Sequence, residues 1–455
     1  MADMPMPVMQ PKAENFIKRI AKGDHGVGLL NSLLLVAARI GSNLLALVWT
    51  MLLVRLVRPE DSGAVFQAIA VAQIASILLT FNVESASMRF LVPALHDGRR
   101  AEAAGFIRFN RLTIPLMLPP VALGIAMVQQ GGAGMIAAVI VAMAATAMAR
   151  ATGRHATALG AMRQGLLPRL LAGPVVLSLG LGLAWAAGLA LQAWHVVALF
   201  ALSELTAALI QQWLLRGAFA PLAGPGARAR NRRQWVGLGL WMTPGLIMSE
   251  YRKSLLIAMA ALVLAGDDLS RFTVAFSIIN ILNFGVVAVD VAFSQPIARA
   301  MVAGQPRRRD RLLASSAAIK LGGLGLGVAL VLLAGEMALG WFGPDYAPAL
   351  PAMLVLLLLP VSAVLAGPGA VLLTSAGRGR EDFLGNVIGG AVTVAAICGL
   401  GALGGLEGAA AGAVIGYAAA QAIMAWFCRA RLQIDPSILT IRHLFARPAA
   451  AGGAS

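Results

Sequence analysis

The chain has 455 residues, of which 59% are hydrophobic and only 12% are charged, and its mean hydropathy is +0.80. Because an average soluble domain has about 25% charged residues, so few charges cannot cover the surface of a water-soluble protein of this length. The net charge of +16 does not indicate nucleic-acid binding, because the basic residues lie in short loops between apolar segments. The composition therefore favours a membrane protein.

The first 28 residues are polar and precede the first long apolar segment. They contain no apolar core of the kind that a cleavable signal peptide needs, so we expect an uncleaved cytoplasmic leader over residues 1–28. Phe16, Ile17 and Ile20 recur at helical spacing among the basic residues Lys12, Lys18, Arg19 and Lys22. This spacing favours an amphipathic helix at the membrane surface, with a solvated tail as the alternative.

Twelve apolar segments follow, and each of them predicts a transmembrane helix. About 20 helical residues cross the ~30 Å hydrocarbon core, and the segments must be helical because lipid offers the backbone no hydrogen-bond partner. The sequence therefore predicts an all-α polytopic membrane protein of about twelve helices. They are expected near residues 29–54, 63–83, 109–129, 133–150, 166–190, 194–215, 235–264, 271–292, 312–335, 349–374, 383–404 and 408–428.

The lysine and arginine residues predict the orientation of these helices. An even number of helices returns the chain to the side on which it began. Of the 36 Lys and Arg residues, only Arg55, Arg58 and Arg271 lie in loops on the side opposite to the termini. Because cytoplasmic loops carry the excess of basic residues, we expect both termini to be cytoplasmic.

An acidic pair, a helix and a further acid occur in the same order in both halves of the chain. Glu60-Asp61 precede helix 2, and Glu84 lies near its cytoplasmic end. Asp267-Asp268 and Asp290 take the same places around helix 8. The repeat predicts two six-helix lobes related by an axis along the membrane normal. The expected divisions are an N-terminal lobe, a basic cytoplasmic linker, a C-terminal lobe and a cytoplasmic tail, at residues 29–215, 216–234, 235–428 and 429–455.

Two segments around helix 2 resemble the opening of bacterial polysaccharide-biosynthesis flippases of the multidrug/oligosaccharidyl-lipid/polysaccharide exporter superfamily. They are Pro59–Phe66 (PEDSGAVF) and Val83–Leu91 (VESASMRFL). Ser62 replaces the aromatic residue that is usual before the glycine, and Asn82 stands in the region of a usual glycine. The motif match covers about helices 1–3, whereas the twelve-helix layout and the mid-chain linker agree over the whole length.

The resemblance implies a flippase rather than an enzyme. The implied reaction moves an undecaprenyl-pyrophosphate-linked oligosaccharide from the inner to the outer leaflet of a bacterial cytoplasmic (inner) membrane, by alternating access. Such transport would serve polysaccharide, exopolysaccharide or lipopolysaccharide biosynthesis. The expected partners are this substrate, membrane lipids, and a polysaccharide polymerase or glycosyltransferases. We expect no cofactor, metal or nucleic acid, and the sequence has no Gly-Lys pair of an ATP-binding loop.

Three cations inside the predicted helices are the candidate substrate-binding residues. Arg39 lies within helix 1, and Arg252 and Lys253 lie midway along helix 7. A charge in the hydrocarbon region costs at least ~2.5–3.5 kcal/mol, so it needs a partner or a watery cavity. Arginine can hold a phosphate through two parallel hydrogen bonds, so we expect these cations to bind the pyrophosphate from equivalent positions in the two lobes. The alternatives are structural ion pairs of Arg39 with Glu84 and of Lys253 with Glu250.

Several charged residues are candidates for gating or coupling: Glu84, Arg89, Glu204, Glu250 and Asp290. Glu84 and Asp290 are expected near the cytoplasmic surface, where they would pair with Arg89 and Arg299 or only reach the interface. Glu204 in helix 6 is an acid at membrane depth, which makes it the candidate for proton coupling. A structural hydrogen bond is the alternative for Glu204.

Other functions remain open from the sequence. An ion-coupled multidrug extruder is the first alternative, although a site for cationic drugs should be rich in acids and aromatic residues, and only 6% of this chain is aromatic. A membrane-embedded glycosyltransferase or ligase is the second, although such enzymes generally carry sizeable outer loops. An assembly scaffold without transport activity is the third, although it would give the intramembrane charges no purpose.

Overall fold

The computed structural model of the chain describes residues 25–129, 131–222 and 231–445. Within these ranges every regular element is helical, and ten segments are long and apolar enough to cross a membrane. The structure therefore confirms the predicted class, an all-α polytopic membrane protein. The predicted amphipathic leader up to residue 24, most of the linker and the end of the tail lie outside the described residues.

The N-terminal half, which precedes the linker, contains helices α1 to α8 in the described residues. A 3-10 turn at Val83–Ala86 joins α2 to α3, and a π turn at Pro168–Ala172 joins α6 and α7 into one span. The helices are α1 (His25–Leu56), α2 (Pro59–Leu78), α3 (Ser87–His96), α4 (Arg100–Val128), α5 (Ala133–Ala158), α6 (Met162–Leu167), α7 (Gly173–Ala186) and α8 (Ala193–Phe219).

The C-terminal half, which follows the linker, contains helices α9 to α17. A 3-10 turn at Pro344–Ala349 precedes α13, and a π turn at Cys428–Leu432 ends the longest helix. The helices are α9 (Arg232–Glu250), α10 (Arg252–Ala260), α11 (Gly266–Val302), α12 (Pro306–Gly340), α13 (Leu350–Leu356), α14 (Leu358–Ala366), α15 (Gly369–Ser375), α16 (Gly379–Phe427) and α17 (Arg442–Phe445).

The described residues contain ten spans where the sequence predicted twelve helices, and two features explain the difference. Predicted helix 7 is broken at Tyr251 into α9 and α10, each of which is too short or too polar to count as a span by itself. Helix α16 folds back at Gly404-Gly405, where Gly405 has a φ of 55°. A Cβ atom on Gly412 would overlap the carbonyl of Ala396, so the absence of a side chain at Gly412 lets one arm of α16 pack closely on the other.

Several helices are longer than the apolar segments that predicted them. Helix α4 begins at Arg100 rather than near residue 109, and α11 continues to Val302 rather than residue 292. The added turns carry Arg100, Arg108 and Arg299 and lie on the predicted cytoplasmic side. Hydropathy measures what enters lipid, not where a helix ends, so it misses helical turns that project into water.

The two halves meet closely on the predicted outer side, where α2 and α11 begin. A Cβ atom on Gly63 would overlap the carbonyl of Gly266, so both helices need glycine at this crossing. Nearby, Arg55 donates a 2.7 Å hydrogen bond to the carbonyl oxygen of Trp341. The predicted outer ends of α2 and α11, which carry the two acidic pairs, are therefore in direct contact.

On the predicted cytoplasmic side, α9 packs against the N-terminal half. Trp235 is buried and its ring lies 5.2 Å from that of Phe106 between centroids. Asn82 donates a 3.2 Å hydrogen bond to the carbonyl oxygen of Gly239. Trp241 also stacks on Phe383 of α16, with centroids 3.8 Å apart. The first part of predicted helix 7 thus contacts both halves.

Candidate functional site

The break in predicted helix 7 places five consecutive polar residues, Glu250 to Ser254, within the membrane. Tyr251 leaves the helical conformation with φ −111° and ψ 16°, and it separates α9 from α10. Lys253 contacts Ser277, which lies eleven residues into α11 and therefore about 16 Å from its outer end. The break thus lies near the middle of a ~30 Å hydrocarbon core. Discontinuous helices at this depth commonly form the binding sites of transporters.

Arg150 of α5 lies in the most completely buried part of this region. Its side chain is 1% exposed and forms an ion pair with Glu84, whose side chain is fully buried. It also donates hydrogen bonds to the hydroxyl of Ser76 at 3.0 Å, to the carbonyl of Ser76 at 3.1 Å and to Thr80 Oγ1 at 2.9 Å. These donors hold the 3-10 turn after α2 against α5.

Tyr251 connects this buried arginine to the helix break. Its hydroxyl accepts a hydrogen bond from Arg169 at 3.0 Å and one from Arg150 at 3.4 Å. Arg169 lies in the π turn between α6 and α7, a feature that often marks functional sites. The tyrosine therefore ties the C-terminal half to two cations of the N-terminal half.

Two acids balance part of this positive charge. Glu250 forms an ion pair with Arg154, one helical turn after Arg150 on α5. Glu204 of α8 accepts a 3.1 Å hydrogen bond from Thr146, and it interacts electrostatically with Arg169. The acid predicted for proton coupling therefore lies among the cations at the break.

The remaining residues at the break contact the other helices that surround it. Lys253 Nζ donates a 2.9 Å hydrogen bond to Ser277 Oγ and lies 6.0 Å from the ring centroid of Trp49. The Arg252 guanidinium lies 4.2 Å from the ring centroid of Tyr417. Its Nε is buried and has no hydrogen-bond partner among the described residues. Arg252 is thus stabilised by an aromatic face and keeps donor capacity.

The charged groups around the break are unbalanced in favour of cations. Five cations outnumber three carboxylates, and Arg252 and Lys253 have no carboxylate partner among the described residues. A membrane-embedded excess of positive charge is unfavourable without an anion or water. The cluster consists of Arg150, Arg154, Arg169, Arg252 and Lys253 with Glu84, Glu204 and Glu250.

The structure does not place Arg39 beside the other two predicted binding residues. Arg39 is exposed and lies seventeen residues before Leu56, about 25 Å from the outer end of α1. The acidic pairs set a repeat offset of 207 residues (267 minus 60), by which Arg39 corresponds to Leu246 rather than to Arg252. On the predicted topology this offset puts Arg39 about 9 Å closer to the cytoplasm than Arg252, so the role of Arg39 stays a prediction separate from that of Arg252.

The acids predicted for gating have other partners than expected. Glu84 pairs with Arg150, and exposed Arg89 is not part of this pair. Asp290 pairs with buried Lys320 at 2.8 Å rather than with Arg299. Each acid therefore pairs with a cation of its own half.

The structural ion pairs that the sequence offered as alternatives are not formed in the described residues either. The Arg39–Glu84 and Lys253–Glu250 pairs are absent from the described residues, since Glu84 binds Arg150 and Glu250 binds Arg154. Across the two halves, the ion pair of the cluster is Arg154–Glu250.

Four cations were missed as site residues because the sequence places them at the edges of apolar segments, where they count as cytoplasmic loop residues. They are Arg150, Arg154, Arg169 and Lys320. Helix α5 in fact continues to Ala158, well beyond its apolar part. One signal was available in the sequence. Arg150 and Arg154 are four residues apart in a run of small residues, which places both on one face if the helix continues.

Comparison with known proteins gives similarity at the level of structure. No protein-family profile matches the sequence, and no curated protein matches it significantly. The fold is similar to a MATE-family multidrug resistance transporter of the MOP superfamily in its inward-facing conformation (TM-score 0.69, 14% identity, 90% of this chain and 100% of that chain). It is also similar to the lipid II flippase MurJ in an inward closed conformation (TM-score 0.68, 11% identity, 91% of each chain). An outward-facing MATE-family structure matches with a TM-score of 0.58 (14% identity, 87% of this chain and 93% of that chain). The chain therefore shares the fold of these transporters.

Proposed function

We propose that the chain is a flippase that moves an undecaprenyl-pyrophosphate-linked oligosaccharide from the inner to the outer leaflet of a bacterial cytoplasmic membrane. The observation that carries the proposal is the excess of cations at the break in predicted helix 7, in particular Arg252 with its unpartnered Nε. A pyrophosphate supplies the missing negative charge. The fold is compatible with this substrate class, since one protein with a similar fold is a lipid II flippase.

Transport would proceed by alternating access between two six-helix lobes, residues 29–215 and 235–428. The contact of Gly63 with Gly266 supports a state that is closed on the outer side. Exposed Arg39, near the cytoplasmic boundary, would meet the head group first, and Arg252 and Lys253 would hold it deeper in the membrane. With both termini cytoplasmic, the membrane potential favours outward movement of two negative charges by ~4–5 kcal/mol per 100 mV.

The proposed gate lies at contacts between the halves rather than at Glu84 or Asp290. Each of these two acids pairs within its own half, so its ion pair does not resist separation of the halves. Two other contacts do join the halves, and both would have to separate for α9 to move. They are the ion pair of Glu250 with Arg154 and the hydrogen bond of Tyr251 with Arg169. Glu204 is proposed to stabilise the charged guanidinium of Arg169 within this contact.

An ion-coupled multidrug extruder is the second candidate, because the MATE-family structure has a similar fold with nearly the same TM-score. A cationic drug would be repelled by the five cations of the cluster. The charge of the site therefore favours the anionic lipid over a cationic drug.

Thermal stabilisation of the purified protein distinguishes these candidates. Undecaprenyl pyrophosphate should raise the melting temperature more than the uncharged alcohol of the same chain length, because only the pyrophosphate can pair with the cations of the cluster. A ligand at about 100 times its Kd adds about 2.7 kcal/mol to the free energy of unfolding. The Arg252→Gln variant should lose most of this difference. Equal stabilisation by the alcohol, or stronger stabilisation by a lipophilic cation, would argue against the proposed substrate class.

A further inference from the structure

A groove lies between α4 and α8 on the predicted cytoplasmic side, away from the break in helix 7. It encloses about 290 Å³, and its lining includes Arg111, Gln212, Arg216, Phe219 and Leu222. Arg111 lies seventeen residues from the outer end of α4, and Arg216 lies twenty-three residues from the outer end of α8. At 1.5 Å per residue these depths are about 25 Å and 35 Å, on either side of the inner boundary of a ~30 Å core.

The two arginines of the groove are held by aromatic rings rather than by acids. The Arg111 guanidinium lies 4.8 Å from the ring centroid of Phe219, and that of Arg216 lies 5.4 Å from the ring centroid of Trp213. Neither arginine forms an ion pair in the part of the chain that the structure describes. A ring face leaves the guanidinium N–H groups free to bind an anion in the plane of the fork.

The surface outward of the groove is apolar and faces lipid. Leu118 of α4, two turns outward of Arg111, is half-buried, and Leu209 of α8, two turns outward of Arg216, is 54% exposed. Exposed Trp213 lies beside Arg216, at a depth where tryptophan commonly marks the interface. A ligand bound between the arginines would therefore have room for apolar chains along α4 and α8, which a free phosphate ion does not use.

We propose that this groove binds an anionic phospholipid of the inner leaflet, with its phosphate between Arg111 and Arg216. Gln212 offers a further polar group in the lining, and Phe219 and Leu222 complete the lining at the predicted cytoplasmic end of the groove. Basic pockets between transmembrane helices on the cytoplasmic side bind anionic head groups by this chemistry. The site is separate from the transported substrate and does not depend on the proposed function.

The test compares the thermal stabilisation of the purified full chain by phosphatidylglycerol and by phosphatidylcholine with the same acyl chains. The wild type should respond to phosphatidylglycerol at about tenfold or more lower concentration than Arg111→Gln/Arg216→Gln, because each arginine contributes charge-assisted hydrogen bonds. The matched control is Arg299→Gln/Arg307→Gln, which removes the same charge from exposed cytoplasmic positions of the C-terminal half. This control and Arg252→Gln should both respond like the wild type.

Three results would overturn the proposal. One is an equal response of the groove variant and the wild type to phosphatidylglycerol. Another is an equal loss in the control double variant, which would show only a general attraction of a basic protein to anionic lipid. The third is the same stabilisation by inorganic phosphate at the same concentration, which would show that the apolar chains play no part. An unchanged melting temperature of the groove variant in phosphatidylcholine verifies that it is folded.

Discussion

Replacing Arg150 by alanine is expected to deplete the protein from the membrane. Its side chain is 1% exposed, and the change would leave the fully buried carboxylate of Glu84 without its ion-pair partner. Breaking a buried ion pair in this way costs about 3–5 kcal/mol, which is a large part of the stability of most domains. The hydrogen bonds to Ser76 and Thr80 would be lost as well. Membrane abundance and the melting temperature of purified protein measure the effect.

Two further variants make this prediction specific. Arg154→Ala changes the same residue type one turn later, but its side chain is 38% exposed, so abundance should stay near that of the wild type. Arg150→Met/Glu84→Gln removes both buried charges and should recover part of the stability that Arg150→Ala loses. Normal abundance of Arg150→Ala, or a double variant that is no better than the single one, would contradict the structural role.

Replacing Arg252 by alanine is expected to have the opposite profile, with abundance near that of the wild type and transport reduced about 100-fold or more. Arg252 contacts the ring of Tyr417 and no carboxylate of the described residues, so its loss leaves no buried acid unpaired. Two charge-assisted hydrogen bonds to a pyrophosphate would be lost, each of them contributing ~1.5–3 kcal/mol. Abundance and accumulation of the lipid-linked oligosaccharide are measured in the same cells.

The conservative variants separate binding from packing. Arg252→Lys keeps the charge but loses the planar fork, so it should restore transport only in part. Tyr417→Phe keeps the aromatic face under the guanidinium and should transport normally. Depletion of Arg252→Ala to the level of Arg150→Ala would show that Arg252 is structural, and wild-type transport by Arg252→Ala would contradict its role in binding.

The helices could be predicted from the sequence because crossing lipid requires a run of apolar residues that one sequence shows directly. The fold-back of α16 at Gly404-Gly405 was predicted in the same way, as a gap between two apolar segments. The break at Tyr251 was not predicted. The break occurs where the Tyr251 hydroxyl accepts hydrogen bonds from Arg150 and Arg169, which are distant in the sequence.

The partners of the charged residues could not be predicted, because they depend on which helices pack together. Arg150 contacts Glu84 and Tyr251, which are 66 and 101 residues away in the sequence. Hydropathy assigned Arg150 to a loop because the helix around it turns from apolar to small and polar residues. Lys253 and Arg252 were found because they interrupt an apolar segment at its middle, which is the one arrangement of charge that a single sequence makes evident.

Transport in proteoliposomes tests the central claim most directly. The purified chain is reconstituted with a labelled undecaprenyl-pyrophosphate-linked oligosaccharide, and the fraction of label that reaches the opposite leaflet is followed with an enzyme that acts only on that leaflet. We expect transfer that requires the protein, is lost with Arg252→Ala, and is faster when the side of the basic loops is electrically negative. The account would be contradicted if the protein did not transfer the labelled lipid under a potential of either sign but did transport a lipophilic cation in the same vesicles.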